Sequence, residues 1–145
     1  MPISGSCLCG AVRYEADEPF QHFVYCHCSR CRKATGAAHA ANALVPRTAF
    51  RWLAGEDKVG NYVLPGAARG FATAWCTGCG APVPHVTRSG LRVIVPAGSL
   101  DATPAMKPEI HAHWASRAGW YEDDPALPKV DEDAIGSIPS TPASA

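Results

Sequence analysis

No apolar run in this sequence approaches the ~20 residues that a membrane-spanning helix needs, and the start, Met1-Pro2-Ile3-Ser4-Gly5, lacks the layout of a secretion signal. No membrane association is therefore expected, and a cytoplasmic, reducing setting is. Long windows free of helix breakers are also scarce, because 13 glycines and 13 prolines are scattered through 145 residues. Short apolar segments bounded by turn residues remain, the pattern of a mainly β domain with minor α. Charge of one sign is lacking too, since 13 Lys/Arg balance 13 Asp/Glu. Residues 1–121 carry an excess of basic residues, and the six acidic residues Glu122, Asp123, Asp124, Asp131, Glu132 and Asp133 offset it. The resulting field is too weak for nucleic acid but compatible with a small anionic substrate.

An even cysteine count is the last thing missing. Seven cysteines in a reduced compartment argue against a disulfide framework and for metal or catalytic thiolates. They fall in three clusters: Cys7-Leu8-Cys9-Gly10, Cys26-His27-Cys28-Ser29-Arg30-Cys31 and Cys76-Thr77-Gly78-Cys79-Gly80. The first and last are pairs closed by a glycine, whose left-handed backbone lets amide N–H groups approach the sulfurs. Together they make one tetrahedral structural zinc site from Cys7, Cys9, Cys76 and Cys79. Cys26, Cys28 and Cys31 remain, and three thiolates can cap one face of a second zinc while its fourth position stays open for water or substrate.

A second closed site, completed by a histidine, is the rival. His22, His39, His85, His111 and His113 are the candidates, whereas His27 is expected to point away between its two neighbours. His111 and His113 would share a face if they lay on a strand. Redox chemistry at free thiols is the weaker reading, because no Cys-x-x-Cys is expected at a helix start, although a helical turn is expected after Cys28, through Arg30 to Thr35. Arg30, Arg32 and Lys33 offset the charge of a three-thiolate zinc centre and offer donors to carboxylates. Trp75, Trp114, Trp120 and Tyr121 read as core or rim packing, with an aromatic ligand wall as the alternative.

Strands are expected at 11–16, 20–25, 37–45, 50–53, 59–64, 70–75, 83–87 and 91–95, with turns at Pro65-Gly66 and Arg88-Ser89-Gly90. A further helical turn is expected around Ala115-Ser116-Arg117. Residues 1–133 read as one zinc-binding domain and 134–145 as a disordered tail rich in Gly, Ser, Pro, Thr and Ala.

The segments Gly5-Ser-Cys-Leu-Cys-Gly-Ala-Val-Arg-Tyr-Glu15, Cys26-His-Cys-Ser-Arg-Cys-Arg-Lys33 and Cys76-x-x-Cys-Gly-x-Pro82 resemble the glutathione-dependent formaldehyde-activating enzyme family, related to centromere protein V. Gly98-Ser-Leu-Asp101, Pro108-Glu-Ile-His111 and Ser116-Arg-Ala-Gly-Trp-Tyr121 are similar to its C-terminal part. The resemblance implies a Mss4-like β-tent with two zinc ions. It implies a structural site at Cys7, Cys9, Cys76 and Cys79 and a catalytic one at Cys26, Cys28 and Cys31. The implied activity is a carbon–sulfur lyase that adds glutathione, as co-substrate, to formaldehyde. The partner is thus a small thiol or aldehyde, and a homodimer is left open. A zinc-binding interaction module without catalysis, and a same-fold zinc enzyme with another small substrate, are the alternatives.

Overall fold

Alternation of buried and exposed side chains builds most of the strands. In β1 (Pro2–Ser6) and β2 (Arg13–Asp17) every second residue is buried, so Ile3 faces the same core as Tyr14 and Ala16. The computed structural model describes residues 1–121 and 125–131. The tail expected over 134–145, and the domain end at 133, lie outside the described residues.

After β2 come β3 (His22–Cys26), the single α-helix among the described residues, α1 (Ser29–Thr35), then β4 (Ala40–Pro46) and β5 (Phe50–Ala54). They are followed by β6 (Val59–Val63), β7 (Ala72–Cys76), β8 (His85–Val86), β9 (Arg92–Pro96) and β10 (Ile110–Ala112). The chain is mainly β with one short helix, as expected, and it is consistent with a Mss4-like tent. The expected strands are present with ends moved by at most three residues, and 59–64/70–75 and 83–87/91–95 are antiparallel pairs. The helical turn expected near Ala115 is a 3₁₀ turn over Trp114–Ser116. Two strands were not expected: β1, which is small and polar, and β10, only three residues long.

Three sheets result. One has the order β1-β2-β5, a second β10-β3-β4-β9-β8, and a third is the β6-β7 ribbon. The first two pack on each other. Tyr14, Ala16 and Phe50 meet Ala43, Val45, Val93 and Val95 in one apolar cluster. Fully burying a side chain of that size contributes about 1.5–3 kcal/mol. A smaller cluster joins Cys7, Val12, Ala74, Cys76 and Val83. Trp52 packs against both clusters. Residues around the first cysteine set are therefore part of the core, whereas Cys26, Cys28 and Cys31 stand at the far end of β3, outside both clusters.

Candidate metal centres and their surroundings

Local backbone geometry converges the first set. Cys76 ends β7 and Cys7 follows β1, so each sheet delivers one sulfur, and a tight turn brings a second. Gly10 and Gly80 both have φ of 76°, the left-handed conformation expected of them. Their N–H groups close the turns on the carbonyls of Cys7 at 3.0 Å and Cys76 at 2.7 Å. The four sulfurs of Cys7, Cys9, Cys76 and Cys79 lie within 4.8 Å of one another. Cys7 Sγ and Cys9 Sγ are 3.6 Å apart, and Cys9 Sγ and Cys76 Sγ 3.9 Å. A regular zinc–sulfur tetrahedron with bonds of about 2.3 Å has edges of about 3.8 Å. The donor set fits zinc.

The thiol acidities point the same way. Burial works to raise Cys7, but the Val12 N–H, 3.2 Å from its sulfur, and the neighbouring thiols outweigh it and bring it down to about 6. The Ala11 N–H lowers Cys9, yet Cys7 and Cys79 prevail and push it up to about 11. Cys79 is lowered, chiefly by the Ala81 N–H. Four crowded sulfurs cannot all ionise unaided, and a divalent cation removes the conflict.

Cys26, Cys28 and Cys31 form the second set, again with sulfurs within 4.8 Å of one another. Among the described residues no histidine or carboxylate joins them, so the fold brings three thiols together without a fourth donor of these kinds. Burial raises Cys26 and Cys31. Cys28 is lowered, because the Cys31 and Arg30 N–H groups and the adjacent thiols outweigh its burial. One expectation is corrected here. Cys28 is the N-cap of α1, its sulfur 3.3 Å from the Cys31 N–H, so Cys28-Ser29-Arg30-Cys31 is a Cys-x-x-Cys at a helix start. The helix begins directly after Cys28, as expected, with the thiol as its cap.

Arg30, Arg32 and Lys33 all lie on α1. Arg30 and Lys33 are exposed; Arg32 is half-buried, and its Nε is buried with no hydrogen-bond partner. His111 and His113 do not share a strand face, because β10 stops at Ala112 and His113 turns left-handed with φ of 55°. His113 thereby starts the turn that brings Trp114 onto His27 and His111, with ring centroids 5.2 and 5.1 Å away.

His27 does turn from the metal group, but into the interior. It is fully buried, with Nε2 2.8 Å from His111 Nδ1. His39 and Tyr121 pack on it with centroids 4.9 and 5.0 Å away. Burial first, then the nearby His39, His111, Arg117 and Arg32, lower its basicity. The Arg117 guanidinium lies 4.5 Å from the Trp114 ring centroid. Tyr121 and Arg117 also line an open hollow of about 360 Å³. Trp114 and Tyr121 thus form an aromatic wall with three imidazoles, whereas Trp120 is 71% exposed. Periodicity could not reveal this cluster, since its members come from four separate segments.

The sequence matches the family model described as glutathione-dependent formaldehyde-activating enzyme over residues 2–116. Among solved structures, the chain is similar to the crystal structure of a Rhodobacter sphaeroides protein, with a TM-score of 0.59 and 23% identity. The alignment covers 76% of this chain and 100% of that one. At that identity the likeness shows the fold alone. None of the curated proteins matches the chain.

Proposed function

Since this chain belongs to the glutathione-dependent formaldehyde-activating enzyme family, we propose that it is a zinc-dependent carbon–sulfur lyase working in the synthetic direction. It adds a thiol such as glutathione to formaldehyde or a related small aldehyde. The observation that carries this reading is the contrast between the two cysteine groups. Cys7, Cys9, Cys76 and Cys79 are four converging sulfurs anchored in a core cluster by Cys7 and Cys76, whereas Cys26, Cys28 and Cys31 are three. We assign one zinc to each, structural and catalytic respectively. Such a set of seven thiols belongs in a reducing compartment, and we place the protein in the cytoplasm.

A zinc ion at Cys26, Cys28 and Cys31 would supply Lewis acidity toward a thiol or a carbonyl oxygen. The protein's own groups do the rest. The three thiolates leave one side of the centre open to substrate. Arg30, Arg32 and Lys33 offer donors to the carboxylates of a glutathione-like molecule. In the addition the sulfur lone pair forms a bond to the carbonyl carbon. The carbonyl π pair moves to oxygen, and the proton lost by the thiol finishes on that oxygen.

The test is the exchange rate between glutathione plus formaldehyde and their adduct, read by NMR above the uncatalysed background. The zinc-loaded protein accelerates it, and Cys28→Ser abolishes the acceleration together with one equivalent of metal. Unchanged metal content and turnover in Cys28→Ser would end this reading. No acceleration by a protein holding two thiol-inert zincs would instead favour an interaction module.

A further inference from the structure

Arg117 carries a positive charge that no carboxylate answers among the described residues, whose ion pairs belong to Arg51 and His22. The charge is nevertheless held still. Arg117 follows the 3₁₀ turn Trp114–Ser116, and its backbone N–H and its Nη1 both donate to the Trp114 carbonyl oxygen, at 3.1 and 3.0 Å. That oxygen has two lone pairs, and both are taken. The guanidinium also covers the Trp114 ring, 4.5 Å from its centroid. The side chain is thus folded back over its own turn, so rotamer entropy that a free arginine would lose on binding a ligand is already lost.

This guanidinium is one wall of the open hollow of about 360 Å³, and Ala115, Ala118, Gly119 and Tyr121 are the others. Three of the five have a methyl group or no side chain, which leaves the space free; a Cβ at Gly119 would meet nothing within 4 Å. Among the lining side chains only Arg117 and Tyr121 carry polar atoms, and both can donate. Tyr121 is steadied by ring contacts to His27 and Trp114, with centroids 5.0 and 6.1 Å away. A ligand that fits must therefore bring acceptors. One guanidinium matches one negative charge, and its planar fork matches the two oxygens of a carboxylate. A phosphate, with about −1.5 to −2 at neutral pH, would keep charge unmatched.

We propose that this hollow is a binding site for a small monocarboxylate, held through Arg117. The carboxylate oxygens take N–H groups of the guanidinium that the Trp114 carbonyl leaves free, and the hydrocarbon body of the ligand lies against the alanine methyls and the Tyr121 ring. The volume is within the roughly 300–1,000 Å³ of ordinary small-molecule sites. None of Cys26, Cys28 and Cys31 lines the hollow. The site is thus distinct from the three-cysteine group and does not rest on the function proposed above.

The test follows ¹H–¹⁵N spectra of the full zinc-loaded chain at low ionic strength during titration with sodium phenylacetate, neutral phenylacetamide or inorganic phosphate. Phenylacetate is expected to give saturable shifts at the Gly119 and Tyr121 amides and at the Arg117 Nε–H. Phenylacetamide has nearly the same shape without the charge, and it is expected to bind at least about 10-fold more weakly, the loss that a charge-assisted pair implies. Phosphate is expected to bind more weakly than phenylacetate as well. Arg117→Gln is expected to lose the same factor of about 10 for phenylacetate, with amide peaks outside residues 113–121 in place. No saturable shift at these residues with phenylacetate overturns the proposal. So does equal affinity for phenylacetamide or for phosphate, or wild-type affinity in Arg117→Gln. The three wild-type titrations decide the matter by themselves where the variant does not fold.

Discussion

Cys9 Sγ lies 3.9 Å from Cys76 Sγ across 67 residues of sequence. That proximity ties the turn after β1 to the end of β7, at the edge of the cluster that buries Cys7, Cys76, Val12 and Val83. Removing the metal, or replacing Cys76 with alanine, leaves crowded thiols where the core needs a closed centre. The expected outcome is loss of the cooperative thermal transition seen by circular dichroism, restored in the wild type by zinc. A chelated protein that melts as before would contradict this.

Cys28→Ser separates metal binding from folding. Serine is among the best helix N-caps, and its oxygen can accept the Cys31 N–H as the thiol does now. The variant is expected to keep its melting temperature within a few degrees while its zinc content falls by one equivalent. A large loss of stability would mean that the second centre, too, is structural.

Gly10 tests the turn chemistry alone. Its φ is 76°, and a Cβ there would meet nothing within 4 Å, so Gly10→Ala has only backbone strain to answer for. Left-handed backbone costs a residue with a side chain about 1–2 kcal/mol. Urea unfolding of the zinc-loaded variant is expected to show that loss, and an unchanged midpoint would refute the role given to this glycine.

Much of this was legible in the sequence, and what was missed has a common cause. Strand alternation around Val12 and Tyr14, the glycine-closed pairs and the division of seven cysteines into four and three are local patterns, and the structure keeps them. By contrast, β10 exists only because β3 accepts it as a parallel neighbour, with Ala112 beside Cys26. Three residues carry no periodicity to detect. His27 and His111 stand 84 positions apart, so their hydrogen bond leaves no mark in either segment. That Cys28 caps α1 was missed because cysteine is not among the usual capping types.

Tyr14 gives a pH dependence away from either metal centre. Burial, aided by Asp101 and opposed by the Ser99 hydroxyl, pushes its phenol from 10.0 up to about 12. The folded state therefore holds the proton more tightly than the unfolded one. Its contribution is fully present below about pH 10 and is lost as pH rises through about 12, a fall of roughly 3 kcal/mol. Equilibrium unfolding across that window is expected to show the decline in the wild type, and a smaller one in Tyr14→Phe. Equal slopes would refute the assignment.

The central claim is that Cys26, Cys28 and Cys31 hold a zinc open to thiol while the other four cysteines hold one that is closed. Zinc K-edge X-ray absorption with and without glutathione tests it most directly. Seven protein sulfurs over two zincs predict about 3.5 sulfurs per metal, rising to about 4 when the thiol is added. A sulfur count that glutathione leaves unchanged would contradict the account.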